Sequence, residues 1–312
     1  MYKIAIIIFL AFLTTWVSFS IVEQYSTDTH LGKENKFYSQ KIESGKTILI
    51  GSSHMGSLNV TITNDVLKKN GFDDEVYNLS YNGDNPSRRE KVIDDIIQLN
   101  PKLIIYGVSF RDFTENTNEN PFPDPQFIIH EFHKQIDPET QFVNPKFTTM
   151  SNIREVLNQI NLGTKSPYTI IENTPFMKYH YETQMTIMDE NQLNLHENSE
   201  AKSIRLNDFG HNSEAKKLSK MIQKIKDNNI DFVLLITPLH SSYLDDIPEN
   251  ERIKFNELVS NISSLNQIKI IDYQNRYSEL NVWANPSHVS VSKNSTVYAE
   301  DIARIIMDGV KK

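Results

Sequence analysis

Ile48-Leu49-Ile50-Gly51-Ser52-Ser53-His54 is an unbroken apolar run that ends on a glycine and two serines. Continuous rather than alternating apolarity marks a strand buried on both faces, so the run predicts one strand of a parallel sheet covered by helices. The strand is expected over residues 46–51, and four further runs read the same way, at 75–79, 103–107, 232–237 and 268–271. Amphipathic stretches lie between them. Residues 86–99 carry Val92, Ile93, Ile96 and Ile97 behind Pro86, a good first-turn residue, while 213–226 carry Leu218, Met221, Ile222 and Ile225 on one stripe. Residues 295–307 repeat the pattern with Tyr298, Ile302, Ile305 and Ile306. Helices alternating with five strands predict an α/β three-layer sandwich on a five-stranded parallel sheet. In such open sheets ligands sit beyond the carboxyl ends of the strands, where Ser53, Gly83 and the segment after Gly107 all fall.

At 312 residues, with 38% hydrophobic and 23% charged, the chain is long enough for one main domain with a large core. Its net charge of -8 argues against nucleic acid, because phosphate neutralisation needs clustered cations. The richest basic segment, Lys216 to Lys226, reads as the wet face of a helix. There is no cysteine, which excludes disulfides, thiolate catalysis and Cys-ligated zinc.

From residue 4 to 22 the chain carries no charge, and at ~1.5 Å per residue that run matches the ~30 Å hydrocarbon core of a bilayer. Residues 1–23 are therefore expected to be a transmembrane anchor. A signal peptide is the alternative, for which Ser18-Phe19-Ser20 is a poor cleavage site, and a buried core helix the plainest one. Lys3 before the run, with Glu23 and Asp28 after it, puts the remainder on the extracytoplasmic side. Residues 24–45 read as a polar linker, and 46–312 as the α/β domain with an insertion at about 112–206. Within that insertion, 153–160 is a candidate helix and Phe176, Tyr179 and Tyr181 an aromatic cluster; a lid or a surface elaboration is expected. Asn59, Asn78, Asn261 and Asn294 head Asn-x-Ser/Thr sequons.

Ser53 at the exit of the first strand, with His288 a domain's length later in Asn285-Pro286-Ser287-His288, is how such a sheet assembles a nucleophile and its base. A serine hydroxyl attacks a carbonyl only if a base takes its proton. Taken with Asn78-Leu79-Ser80-Tyr81-Asn82-Gly83 and Gly107-Val108-Ser109, these segments resemble, in order and spacing over residues 46–310, the blocks of the SGNH/GDSL hydrolase superfamily. The resemblance implies an SGNH-hydrolase-like, flavodoxin-like sheet, with Ser53 as nucleophile, His288 as base and Gly83 as an oxyanion donor. The phrase Gly107-Val108-Ser109-Phe110-Arg111-Asp112-Phe113 and the anchored layout look most like the membrane-tethered branch related to alginate and teichoic-acid acyl-transfer proteins.

Two departures stand out. The third-block Asn is missing, leaving Ser109 as its positional replacement and Arg111 as a charged alternative that would hold a substrate carboxylate or phosphate, unless it pairs with Asp112. The last-block Asp is Asn285, which leaves three readings: a dyad helped by Asn285, an acid relocated to Asp272, or a site that binds without turnover. His54 is expected to line the pocket or lend its N–H to the oxyanion, and His240 to reach the same edge. A metal set from His54, Asp84, Asp112, His240 and His288 has no recognisable ligand spacing. No metal or other cofactor is expected.

The function implied is a membrane-anchored extracytoplasmic serine esterase or O-acyltransferase acting on acylated surface polysaccharide through an acyl-serine. The alternative is a catalytically impaired glycan-binding or accessory protein on the same fold. Expected partners are an acylated glycan or other acyl ester, the membrane and a membrane acyltransferase.

Overall fold

In a computed structural model of the chain, Thr47–Gly51 forms strand β1 with all five residues buried. The structure describes residues 46–80, 83–114, 168–170, 179–181, 186–292 and 294–310, with Thr14. Apart from Thr14 these belong to one compact unit drawn from Lys41–Thr117 and Ser166–Lys312.

After β1 come helices α1 (Ser53–Gly56) and α2 (Val60–Lys69), strand β2 (Val76–Asn78), helices α3 (Pro86–Arg89) and α4 (Ile93–Gln98), and strand β3 (Leu103–Val108) with a 3-10 turn (Phe110–Phe113). An antiparallel pair, β4 (Tyr168–Ile170) and β5 (Tyr179–Tyr181), precedes helices α5 (Glu190–Leu195), α6 (Ser199–Ser203) and α7 (Ser213–Asp227). Then follow β6 (Asp231–Ile236), α8 (Ser241–Asp246), α9 (Glu249–Asn266), β7 (Lys269–Asp272), the hairpin strands β8 (Trp283–Asn285) and β9 (His288–Val289), and α10 (Val297–Val310).

The sheet runs β2-β1-β3-β6-β7, every pairing parallel, so the five apolar runs all became strands of one sheet. Strand residues alternate between its faces. Leu49, Ile105, Val233 and Leu235 join Val60 and Leu67 of α2 and Ile302 and Ile306 of α10 in one buried cluster. Ile48, Ile50, Ile104, Tyr106 and Leu234 point the other way, where α7 packs on β6 and on α9. Three layers result.

Among the described helices of ten or more residues, two go beyond those expected. In α9, Phe255, Leu258, Val259 and Ile262 are buried at helical spacing. In α2, Val60, Thr63 and Leu67 do the same, though a β-branched sequence masks the stripe. The helix expected over 86–99 is broken instead into α3 and α4. Arg89 turns into the core, and Val92, non-helical at φ -115°, caps the second piece.

The expected anchor, linker, candidate helix 153–160 and Phe176 lie outside the described residues. Among those described, no helix is long and apolar enough to cross a membrane. Asn78 is not a glycan acceptor in the folded state. It is buried, its Nδ2 donates to the Met55 carbonyl at 2.9 Å, and its Oδ1 accepts the Ser80 N–H at 3.0 Å.

At the carboxyl end of the sheet, Gly51 of β1 lies opposite Gly107 of β3. Gly51 has φ +142°, and a Cβ there would meet the Gly107 carbonyl oxygen at 2.5 Å and Met55 Cγ at 2.8 Å. Backbone cannot yield as a side chain can. Gly51→Ala is therefore expected to lower stability by at least the ~1–3 kcal/mol typical of overpacking. Gly71→Ala, at φ +79° but in open space, should cost only the ~1–2 kcal/mol of a left-handed residue. Urea unfolding of the two variants checks the contrast; equal costs would mean that the sheet edge is not closely packed.

Candidate active site

Ser52, extended at φ -78° and ψ -167°, caps α1, and Ser53 is that helix's first residue. First-turn N–H groups have no partner within a helix. Met55 N–H bonds back to the Ser52 carbonyl, but those of Ser53 and His54 find no acceptor among the described residues.

His288 arrives from the other end of the chain. Strands β8 and β9 pair so that Asn285 lies opposite His288, with Pro286 and Ser287 as the turn. The three-residue spacing thus sets the two side chains next to each other. His288 Nε2 lies 2.9 Å from Ser53 Oγ, and its Nδ1 lies 3.0 Å from Asn285 Oδ1 and 2.8 Å from Ser287 Oγ. Asn285 Oδ1 also accepts the Ser287 N–H at 3.0 Å. With Ser53 donating to Nε2, the tautomer assigned by this network keeps the ring proton on Nδ1. Ser53, His288 and Asn285 are brought together as expected.

What Asn285 lacks is charge. Burial, and then the Arg111 guanidinium, push His288 down to about 4, and no anion among the described residues opposes them. Asp272 does not relocate the acid, because its Oδ1 accepts the Gln274 N–H on edge strand β7.

His54 stacks on His288, ring centroids 4.8 Å apart and planes 7° from parallel. Its Nδ1 lies 3.0 Å from Ser52 Oγ. Burial, then His288 and Arg111, hold its pKa well below the usual imidazole range. Ser109 is buried and spends its backbone N–H on Asp112 Oδ2 at 2.6 Å. Asp112 therefore braces this loop itself and does not pair with Arg111. Burial pushes its carboxyl up to about 8 against the pull of the Ser109 N–H, and it also hydrogen-bonds Ser52. Arg111 reaches Glu200 of α6 instead, at 2.6 Å, both groups about half exposed.

Gly83 has φ +69°, and its carbonyl accepts Arg88 Nη1 at 2.8 Å. Its neighbour Asp84 is matched by Arg89 at 2.6 Å with both side chains fully buried. His240 proves unsuited to touching substrate, being fully buried. It caps α8, its ring meets the edge of Trp283, and its N–H holds the Pro286 carbonyl at 2.9 Å, so it supports the turn that carries His288. His54, Asp84, Asp112, His240 and His288 are thus committed separately, and among the described residues no three His, Asp or Glu converge as a metal group. Ser52 and Ser287 were not anticipated. Their only signal is adjacency to the nucleophile and the base.

No family model and no curated protein matches the chain. Among solved structures it is similar to an acetyl xylan esterase, at 12% identity and TM-score 0.44 over 85% of this chain and 99% of that one. A psychrotrophic esterase from Pseudoalteromonas sp. matches at 11% identity and TM-score 0.45, over 86% and 100%. A GDSL-like lipase from Bacteroides thetaiotaomicron matches at 10% and 0.44, over 90% and 98%. Likeness at this level leaves the chemistry of the site to its own geometry.

The shifted groups make stability depend on pH in two senses. Free His protonates near 6.5 but folded His288 only near 4, so across that interval acid favours the unfolded chain; His54 acts alike. Asp112 opposes them. Its folded form keeps a proton up to about 8, against 3.8 unfolded, so its contribution is full below that lower value and fades as pH rises to 8. Two imidazoles outweigh one carboxyl below 6.5, and only the carboxyl acts above it. The thermal midpoint should peak near pH 6.5, and Asp112→Asn, which keeps the acceptor for Ser109, should abolish the alkaline decline and steepen the acid one. An unchanged alkaline limb would show that Asp112 is ionised in the fold.

Proposed function

We propose that this chain is a serine acyl-group enzyme, an esterase or O-acyltransferase of the SGNH/GDSL type. The observation that carries the reading is the 2.9 Å contact between Ser53 Oγ and His288 Nε2, with Asn285 Oδ1 on the far nitrogen. Ser53 Oγ attacks the ester carbonyl carbon as its proton passes to His288 Nε2. The carbonyl electron pair becomes an oxyanion, for which the N–H groups of Ser53 and His54 at the start of α1, with Gly83, are the proposed donors. Collapse expels the alcohol, which takes the proton from His288 and leaves acyl-Ser53. Water or a sugar hydroxyl then gives its proton to His288 and attacks the acyl carbon; collapse breaks the bond to Ser53 Oγ, which takes the proton back from His288 Nε2, and the acyl group leaves as acid or as a new ester.

The finer reading comes from the sequence. The uncharged run 4–22 supports a membrane anchor with the domain outside the cytoplasm. The likeness of Gly107–Phe113 to acyl-transfer proteins supports an acylated surface polysaccharide as substrate and a membrane acyltransferase as partner. Arg111, exposed and paired among the described residues with Glu200, supports a substrate carrying an anion. An exposed pair of this kind contributes only ~0–1 kcal/mol, so substrate exchanges with it readily. Asn285 favours the second reading, a glycan-binding accessory protein, because an imidazolium next to it has no counter-charge.

A serine-directed fluorophosphonate should label the protein at Ser53, and Ser53→Ala should remove the label without moving the thermal midpoint. Labelling of neither protein would favour the accessory reading, and equal labelling would place the nucleophile elsewhere.

Asn285→Asp should supply the missing charge and raise hydrolysis of an aryl acetate by at least about tenfold. The gain should stay below the ~10⁴-fold that the reverse change costs a complete triad. It should vanish when Ser53→Ala is added. A folded Asn285→Asp protein with no gain would mean that charge at 285 is not what limits the site.

A further inference from the structure

We propose that His54 is a positioning residue for His288: its imidazole, stacked flat on the His288 ring and held in plane by Ser52, orients the base where the uncharged Asn285 cannot do so alone. An imidazole hung from a hairpin turn turns about a broad, roughly two-fold torsion. Both groups that hold Nδ1 are neutral and come from that same turn, Asn285 Oδ1 and Ser287 Oγ. Neutral hydrogen bonds are about half as strong as charge-assisted ones, so the edge-on grip is weaker than a carboxylate would give. The face-on contact comes from a different element. A parallel ring across one side of His288 blocks the rotation that would carry Nε2 away from Ser53.

The support is stiff because of where it stands. His54 and Ser53 are consecutive in α1, so the nucleophile and the ring that steadies its base move together. The His54 carbonyl accepts Ser57 Oγ at 2.7 Å, and Ser52 hydrogen-bonds both His54 and Asp112. Among the described side chains, the titratable and charged groups acting on the two rings are each other and Arg111 from the turn after β3, with Asp112 behind Ser52. The β8–β9 turn contributes only neutral Asn285 and Ser287. Burial and the Arg111 guanidinium keep both imidazoles uncharged, and His288 adds to the effect on His54.

The inference rests on Ser53 and His288 as nucleophile and base, but its first readout needs no turnover. The His288 ring is titrated by proton NMR in the full-length protein, its signal assigned by its loss in His288→Gln. His54→Phe keeps a flat buried ring without nitrogen; His54→Gln keeps a partner for Ser52 without a ring; His54→Ala keeps neither. With His54→Phe the His288 midpoint should stay within about half a unit of the parent, and with His54→Gln and His54→Ala it should rise by about a unit or more toward the free value as water reaches the exposed face. Phosphonylation of Ser53 should follow the same division, within about threefold for His54→Phe and slower by about tenfold or more for the other two. Thermal midpoints of all three separate loss of folding from loss of orientation. If His54→Gln titrates like the parent, or if His54→Phe behaves like His54→Gln, the stack does not position His288 and the proposal fails. If the parent resists phosphonylation, the nucleophile reading fails, while the titrations still decide what His54 does to His288.

Discussion

Strands β1 and β3 end on paired glycines, and the absence of side chains at that one step of the ladder is what lets the chain leave the sheet as it does. Met55 lies over the gap, where a Cβ on Gly107 would collide with its side chain. Tyr298 of α10 donates its hydroxyl to Met55 Sδ at 3.2 Å, and Asn78 of β2 holds the Met55 carbonyl at 2.9 Å. Two neighbouring elements thus converge on the residue two places after Ser53. Filling either glycine would push α1 off the sheet and move Ser53 with it, and a displacement of about 1 Å is enough to cost ~10²-fold in a site of this kind.

The position of His288 depends on a second, independent constraint. A two-residue turn sets Asn285 across from His288, so their side chains meet whatever else the domain does. Delivery of that pair to Ser53 is a tertiary matter. The His240 N–H grips the Pro286 carbonyl, and the Trp283 indole donates to the Tyr277 carbonyl at 3.0 Å. The buried His240 and Trp283 rings also lie edge to face. His240 looks like a substrate contact in the sequence because it follows a strand at the carboxyl edge. Its burial makes it a part of the scaffold for the base instead.

Electrostatically, the centre is arranged around neutrality. Asp84 is buried but matched by Arg89, through Nε at 2.9 Å and Nη2 at 2.6 Å. Asp112 is buried unmatched and holds its proton up to about 8. The remaining nearby charge, Arg111, lies at the rim against Glu200. In the proposed reaction, moving the Ser53 proton to His288 creates an imidazolium that meets only neutral acceptors, Asn285 and Ser287, and no counter-charge among the described residues. Only the oxyanion forming beside it supplies an opposite charge, so the two develop together. Such a base stays unprotonated over the physiological range and is weak, which is the physical content of having Asn at 285.

The parallel sheet was legible in the sequence because strands buried on both faces need unbroken apolar runs, and five such runs became five strands, although β7, at the sheet edge, is half-buried or exposed along its length. Helix α9 was not read from the sequence, although its 255, 258, 259, 262 stripe carries the signal, and α2 was hidden by β-branched and Thr residues that suit a strand as well. Ser53 could be picked out because it follows a buried strand, and His288 and Asn285 from their resemblance to a family block; that a two-residue turn pairs them was seen only in the structure. Sequence spacing carries no information on distance between elements far apart in the chain. The stacking of His54 on His288, the pairing of Arg111 with Glu200 rather than Asp112, and the burial of Asn78 and His240 were decided only when packing of the layers set which side chains share one low-dielectric space.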